Sequence, residues 1–214
     1  MPRIGLLAQK GGAGKSTLAV HLSVLAGDAM LIDLDPQQSA AGWWRSRSAE
    51  LPELATGSSA QLKQALAAIT RGWVLVDTAP HAEEDSRIVA QAVDLVVIPT
   101  RPAVFDLRAI APTVEIVKRA KTRAVIVLNA VPPSRTVAES WLTTEARQEL
   151  QTYGLPVCPV AVGQRAALSY ALNDGRSVTE FEPDGKAAAE MTKLWRWIRD
   201  QATDDAAGHS SRAA

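Results

Sequence analysis

The octapeptide Lys10-Gly11-Gly12-Ala13-Gly14-Lys15-Ser16-Thr17 constrains this chain more than any other segment. It follows a short apolar run, Ile4 to Ala8, and opens a helical stretch, Thr17 to Ala26, that stops at Gly27. Strand, glycine-rich turn and helix in that order are the context in which such a loop cradles phosphate. Gly11, Gly12 and Gly14 let the backbone curl so that successive N–H groups, that of Ala13 among them, point inward at phosphate oxygens. The helix that follows adds the positive end of its dipole. On this reading Lys15 neutralises the β- and γ-phosphates and Thr17 bonds the α-phosphate. The Ser16 hydroxyl suits Mg²⁺, a hard cation that prefers oxygen ligands.

Four further runs, Met30 to Ile32, Trp73 to Val76, Leu95 to Ile98 and Ala124 to Leu128, are apolar along nearly their whole length. Such strands suit a parallel sheet covered on both faces. Helical patterns separate them, as in Ser59 to Ile69, where Leu62, Leu66 and Ile69 share one face. The βαβ rhythm predicts an α/β fold with a doubly wound, mostly parallel sheet. Pro132-Pro133 marks a loop. After it come a predicted helix from Ala138 to Leu150, a short strand near Pro156 to Val162, and a last helix from Lys186 to Arg199. Residues 1–200 read as one domain, and 201–214, small and polar, as a disordered tail.

Composition narrows the function classes. The 23 Lys and Arg balance the 23 Asp and Glu, so the whole molecule is not a polybasic nucleic-acid binder. Cys158 is the single cysteine, which rules out an internal disulfide or a cysteine-ligated cluster within one chain and suits a reducing cytoplasm. The first apolar run leads straight into the glycine loop, unlike a signal peptide, and no run reaches membrane-spanning length.

Three strand ends carry polar residues where an open α/β sheet binds ligands. Asp33 and Asp35 follow the second strand, and alternation predicts that they share a side. One could organise the Mg²⁺ shell while the other orients an attacking water. Asp77 ends Val74-Leu75-Val76, the Walker B arrangement for holding Mg²⁺ directly or through water. Asn129 ends Val127-Leu128 and is either an adenine-edge partner or a strand-end turn residue. His81 is a lone loop histidine that phosphoryl transfer does not require.

The general Walker pattern has glycine at position 9; here Gln9 stands there and Lys10 adds a second lysine. This arrangement resembles the deviant Walker A motif, KGGxGK[ST], of the ParA/MinD family of ATPases. The resemblance implies a P-loop NTPase fold, ATP and Mg²⁺ as ligands, and slow intrinsic hydrolysis. It also implies that Lys10 reaches across a homodimer to the partner's nucleotide. Ile32 to Gln37 resembles the family's DxDPQ signature, which makes Asp35 the water-positioning residue and Asp33 a metal-shell residue beside Ser16 and Asp77. Asn129 is then assigned to base recognition. Ala79-Pro80-His81 departs from the family's Pro-Pro-Gly or Pro-Gly, which leaves the detailed geometry of that loop open. Ser39 to Trp43, Asp94 to Pro99 with Pro102, and Gln164-Arg165 with Leu172 to Val178 resemble small plasmid-partition ATPases of the ParF type. The sequence starts at the strand of the loop, so no N-terminal DNA-binding extension is expected.

The expectation is therefore a cytoplasmic, nucleoid-associated ATPase. Its ATP-bound homodimer would bind DNA nonspecifically and drive plasmid or chromosome partition, with hydrolysis stimulated by a ParB/ParG-like centromere-binding partner. Residues 101–150 hold eight Lys/Arg against five Asp/Glu, and Lys118, Arg119, Lys121 and Arg123 cluster there; Arg165, Lys193, Arg196 and Arg199 are equal candidates for phosphate contacts. The alternatives are a ParA-like ATPase that positions another cargo (a chemoreceptor cluster, cellulose synthase or a carboxysome) and a MinD-like membrane-associated ATPase. Leu194 to Arg199 invites the latter, but Glu190 and Asp200 flank it, so a core-packed helix without stable membrane insertion is expected. An electron carrier of the nitrogenase-reductase type needs paired cysteines. A tyrosine-kinase relative would carry a tyrosine-rich tail, whereas Tyr153 and Tyr170 are internal. A metabolic P-loop enzyme would need a substrate pocket for which no signature is present. Trp43 and Trp44 could serve a partner surface or packing alike.

Overall fold

The computed structural model describes residues 1–133 and 140–203. Six strands, β1 (Arg3–Leu6), β2 (Ala29–Asp33), β3 (Glu53–Thr56), β4 (Trp73–Asp77), β5 (Leu95–Thr100) and β6 (Arg123–Leu128), form one sheet in the order β3-β2-β4-β1-β5-β6. All neighbours are parallel. Side chains alternate between the two faces, and both faces are buried, which is why these strands read as continuous apolar runs. Leu95, Val97, Val125 and Val127 join one core with α1 (Lys15–Ala26), α2 (Ser39–Arg45), α8 (Ala166–Asn173), α9 (Val178–Phe181) and α10 (Lys186–Thr203). Val96, Ile98, Ile126 and Leu128 join the other, with α3 (Ser59–Ala68), α4 (Glu83–Ala92), α5 (Val104–Ala109), α6 (Ala111–Ala120) and α7 (Trp141–Gln151).

The winding positions the site. β1 passes through α1 to β2 on one side of the sheet centre, while β5 passes through α5 and α6 to β6 on the other. The connections leaving the adjacent strands β1 and β5 therefore diverge, and a crevice opens between them at the carboxyl ends. Gly5 of β1 helps to close the layers: a Cβ there would stand 3.0 Å from Val89 Cγ1 of α4.

The structure corrects four boundaries. The strand expected near Pro156 to Val162 is an irregular stretch with isolated parallel bridges, Ile126 to Val157 and Val131 to Gly163. Pro156 and Pro159 cannot donate to a ladder, so continuous pairing fails there. β2 ends at Asp33, so strand alternation does not extend to Asp35. The helix expected from Ala138 begins at Trp141, with Ser140 accepting from the Thr143 N–H; Ala138 itself lies outside the described residues. The last helix runs on through Thr203, because Arg123 Nη2 donates to the Gln201 carbonyl and draws that turn onto the sheet; residues 204–214 lie outside the described part of the chain.

α10 is a core helix. Met191, Leu194, Trp195 and Ile198 are buried, and Trp195 meets Trp73 edge-on at 4.8 Å between centroids. Its apolar stripe is thus spent within the chain, which argues against the MinD-like membrane helix weighed above. Among the described residues no helix is long and apolar enough to cross a membrane.

Candidate functional site: a phosphate-binding loop at the sheet switch point

The loop between β1 and α1 takes the conformation its glycines permit. Gly12 has φ +74° and Gly14 φ +97°, the left-handed region that favours glycine. Space is equally decisive at Gly14, where a Cβ would lie 2.0 Å from Asn129 Nδ2. Asn129 closes on the loop because its Nδ2 donates to the Ala13 carbonyl at 2.8 Å. The structure thus gives Asn129 a bracing contact at the loop. Gln9 is anchored as firmly. Its N–H donates to Thr113 Oγ1 at 3.4 Å, its Nε2 donates to Ser86 Oγ at 3.0 Å, and its carbonyl accepts the His81 N–H at 3.0 Å. A residue standing where the general motif has glycine thereby ties the loop to α4, α6 and the turn after β4.

Lys15 is buried, and its Nζ donates to the Ala8 carbonyl at 3.1 Å. Burial lowers its pKa, and the Asp77 and Asp35 carboxylates oppose that shift. β2 and β4 are in register so that Asp33 faces Asp77 across the pair. Their tasks differ. Asp33 Oδ1 accepts from the Asp35 N–H at 3.0 Å and Oδ2 from the Ala41 N–H at 2.9 Å. Both oxygens accept from backbone, so Asp33 braces the turn into α2 while it faces Asp77 across the strand pair. Asp35 sits at the edge of the cleft, with Oδ1 accepting from the Gln37 N–H at 2.9 Å.

Asp77 is fully buried; Oδ1 accepts from the Thr78 N–H at 3.0 Å and Oδ2 has no hydrogen-bond partner. Burial pushes its pKa up to about 7; the Ser16 hydroxyl lies close enough to ease that shift without satisfying Oδ2. An orphaned carboxylate oxygen beside a loop hydroxyl fits a hard, oxygen-seeking cation. Among the described residues no group of three His, Cys, Asp or Glu is placed to hold a metal. Mg²⁺ keeps waters and takes substrate phosphates as ligands beside one or two carboxylates.

A cleft of about 510 Å³ runs from the loop along α1 and α2, lined by Lys15, Thr17, Asp35, Trp43 and Leu172 among others. Trp43 and Trp44 are packed residues: Trp43 Nε1 donates to the Arg176 carbonyl at 3.1 Å and Trp44 Nε1 to the Pro52 carbonyl at 2.7 Å. Lys10, at the mouth of the loop, pairs with Asp106 of α5, Nζ to Oδ1 2.7 Å. His81 adopts φ +56° where the family pattern has glycine.

The candidate DNA cations are not brought together at this site. Lys118 and Arg119 end α6 and Arg123 begins β6, at the amino ends of the strands, whereas the loop lies at their carboxyl ends. Arg165 is paired with Glu190 and Arg199 with Asp200. Sequence reasoning missed Asp106, Arg101 and the anchoring of Gln9. Each depends on how the β5–α5 segment and the turn after β4 fold back onto the loop, and no local pattern encodes that.

An all-parallel sheet with a glycine loop, a buried lysine and a buried strand-end aspartate at its switch point defines a P-loop nucleotide-binding protein. Residues 4–178 match the family described as CobQ/CobB/MinD/ParA nucleotide binding domain, and the chain belongs to that family. It is 32% identical over 212 residues to the maintenance of carboxysome distribution protein A of Gloeobacter kilaueensis, covering 95% of each chain. It is also 32% identical to the protein ParA of Rhizobium radiobacter, over 154 residues that cover 64% of this chain and 68% of that one. The fold superposes on a Cyanothece McdA variant in complex with ATP with a TM-score of 0.76 at 16% identity, covering 95% of this chain and 96% of that one.

Proposed function

We propose that this chain is a ParA-like positioning ATPase, switched by ATP between a free and a dimeric state. The observation that carries the reading is the grouping of Lys15, Asp35 and the unsatisfied Asp77 Oδ2 around one glycine loop. Lys15 would leave the Ala8 carbonyl to neutralise the β- and γ-phosphates. Asp35, at the cleft edge, would orient the attacking water. Mg²⁺, held through Ser16 and Asp77, would neutralise charge on the phosphate oxygens. Lys10 would reach the nucleotide of a second copy and make closure depend on ATP. The closed dimer would hold DNA through phosphate contacts, and a partner protein would stimulate hydrolysis and release.

The cargo is the finer question. Similarity to a carboxysome-distribution protein over 95% of both chains favours an assembly of that kind over the plasmid expected from sequence. Plasmid partition is kept as the second reading because of the shorter match to ParA.

The test is a set of single variants assayed for nucleotide binding, dimerisation by sedimentation, and DNA retention on filters. Lys15→Ala is expected to lose ATP binding, Asp35→Ala to dimerise without hydrolysing, and Lys10→Ala to bind ATP but stay monomeric. A Lys10→Ala protein that dimerises and retains DNA like wild type would refute the trans-lysine reading. Deleting the gene and scoring carboxysome spacing against plasmid loss separates the two cargoes.

A further inference from the structure

β5 ends at Thr100, and the next residue, Arg101, turns back toward the glycine loop. Its Nη2 lies 3.5 Å from where a Cβ on Gly12 would stand, so the guanidinium comes up against the loop at Gly12. Arg101 is exposed, and among the described residues no carboxylate or carbonyl pairs with its guanidinium. Several arginines elsewhere are engaged: Arg47 with Glu180, Arg165 with Glu190, Arg176 with Asp174, and Arg147 with the Pro159 carbonyl. The other two cations of the loop are engaged as well, Lys10 by Asp106 and Lys15 by the Ala8 carbonyl.

We propose that Arg101 is a further phosphate-contacting residue, one that reads the terminal phosphate of the bound nucleotide. The inference rests on the reading of the loop as an ATP site. A polyphosphate laid along the loop with its α-phosphate at Thr17, by the helix, would carry its terminal phosphate toward Gly12, where Arg101 lies. The crevice between the diverging β1 and β5 connections is where a ligand would meet both walls, and Arg101 is the cation of the β5 wall. The guanidinium fork matches phosphate oxygens in two parallel hydrogen bonds, and an unpaired arginine has no internal partner to give up. Arg101 would thus distinguish ATP from ADP in the free chain, before any second copy arrives.

The test is calorimetric binding of Mg²⁺-ATP and Mg²⁺-ADP to the full chain, in wild type and in a Lys10→Ala background that keeps the protein monomeric. Arg101→Ala is expected to weaken ATP about tenfold while changing ADP less than about twofold, with Arg101→Lys in between. An equal loss for both nucleotides would make Arg101 a structural residue and overturn the proposal. So would an unchanged ATP-to-ADP ratio, including the case in which only DNA retention falls. A wild-type protein that binds neither nucleotide, or a Lys15→Ala protein that binds both as well as wild type, would instead overturn the ATP-site reading beneath it.

Discussion

Lys10 Nζ stands 2.7 Å from Asp106 Oδ1, so the second lysine of the loop is held within its own chain by α5. Lys10 is 41% exposed and Asp106 13%, and pairs of this kind are worth about 0–1 kcal/mol. The pair is weak enough to open, yet it must open before Lys10 can reach a second copy. Asp106→Asn is therefore expected to strengthen the ATP-dependent dimer by up to about fivefold, read by sedimentation equilibrium at saturating ATP. A weaker dimer would mean that Asp106 works inside the interface.

Gly14 and Asn129 are matched, and each should be sensitive in its own way. Gly14→Ala would place a methyl group 2.0 Å from Asn129 Nδ2 at a φ of +97°, so nucleotide binding should be lost together with more than about 2 kcal/mol of stability. Asn129→Ala removes the hydrogen bond to the Ala13 carbonyl and should cost about 1 kcal/mol, with a several-fold loss of affinity for ATP and GTP alike. Loss of ATP binding alone, with GTP unchanged, would point to the base-reading role.

His21 makes stability depend on pH. It is fully buried, its Nδ1 accepting from the Val178 N–H at 3.1 Å and its Nε2–H facing the Leu168 carbonyl at 3.3 Å. Burial pushes its pKa down from 6.5 to about 4, since the charged ring would lose water and turn a proton toward the Val178 N–H. The folded pKa lies below the unfolded one, so between those values the unfolded chain binds the proton that the folded chain refuses. Full stability is therefore present above about pH 6.5 and falls by roughly 3 kcal/mol in all as pH drops to about 4. Urea midpoints at pH 7 and 4.5 should differ much less in His21→Gln than in wild type.

His81 carries the left-handed backbone, φ +56°, that glycine holds more easily. His81→Gly should raise stability by up to about 1 kcal/mol, less what the freer unfolded chain takes back. Thermal melts would show it, and ATP hydrolysis should stay within about twofold of wild type because no step needs an imidazole at this position.

What the sequence disclosed follows from how each element is stabilised. β1, β2, β4, β5 and β6 are buried on both faces and so read as apolar runs. β3 is the edge strand Glu53-Leu54-Ala55-Thr56, half-exposed at its centre and exposed at its ends, and carries no such mark. α2 opens on the small residues Ser39 to Gly42 and is held by Asp33 at the Ala41 N–H and by its own Trp43 indole at the Arg176 carbonyl, contacts that no short-range pattern announces. Lys15, Asp35 and Asp77 could be named because each belongs to a local motif. The hydrogen-bond partners of Asp33 and Asn129 could not, because they are decided by which backbone group folds back to meet the side chain.

The irregular stretch beside β6 has a consequence for assembly. The Ile126 N–H donates to the Pro156 carbonyl and the Ile126 carbonyl accepts from Cys158, while the Leu128 carbonyl accepts from Val162. The outer edge of β6 is thereby partly covered within the chain, and the opposite edge of the sheet is the four-residue strand β3. Along the β6 edge a second copy would meet backbone that is already partly hydrogen-bonded within its own chain.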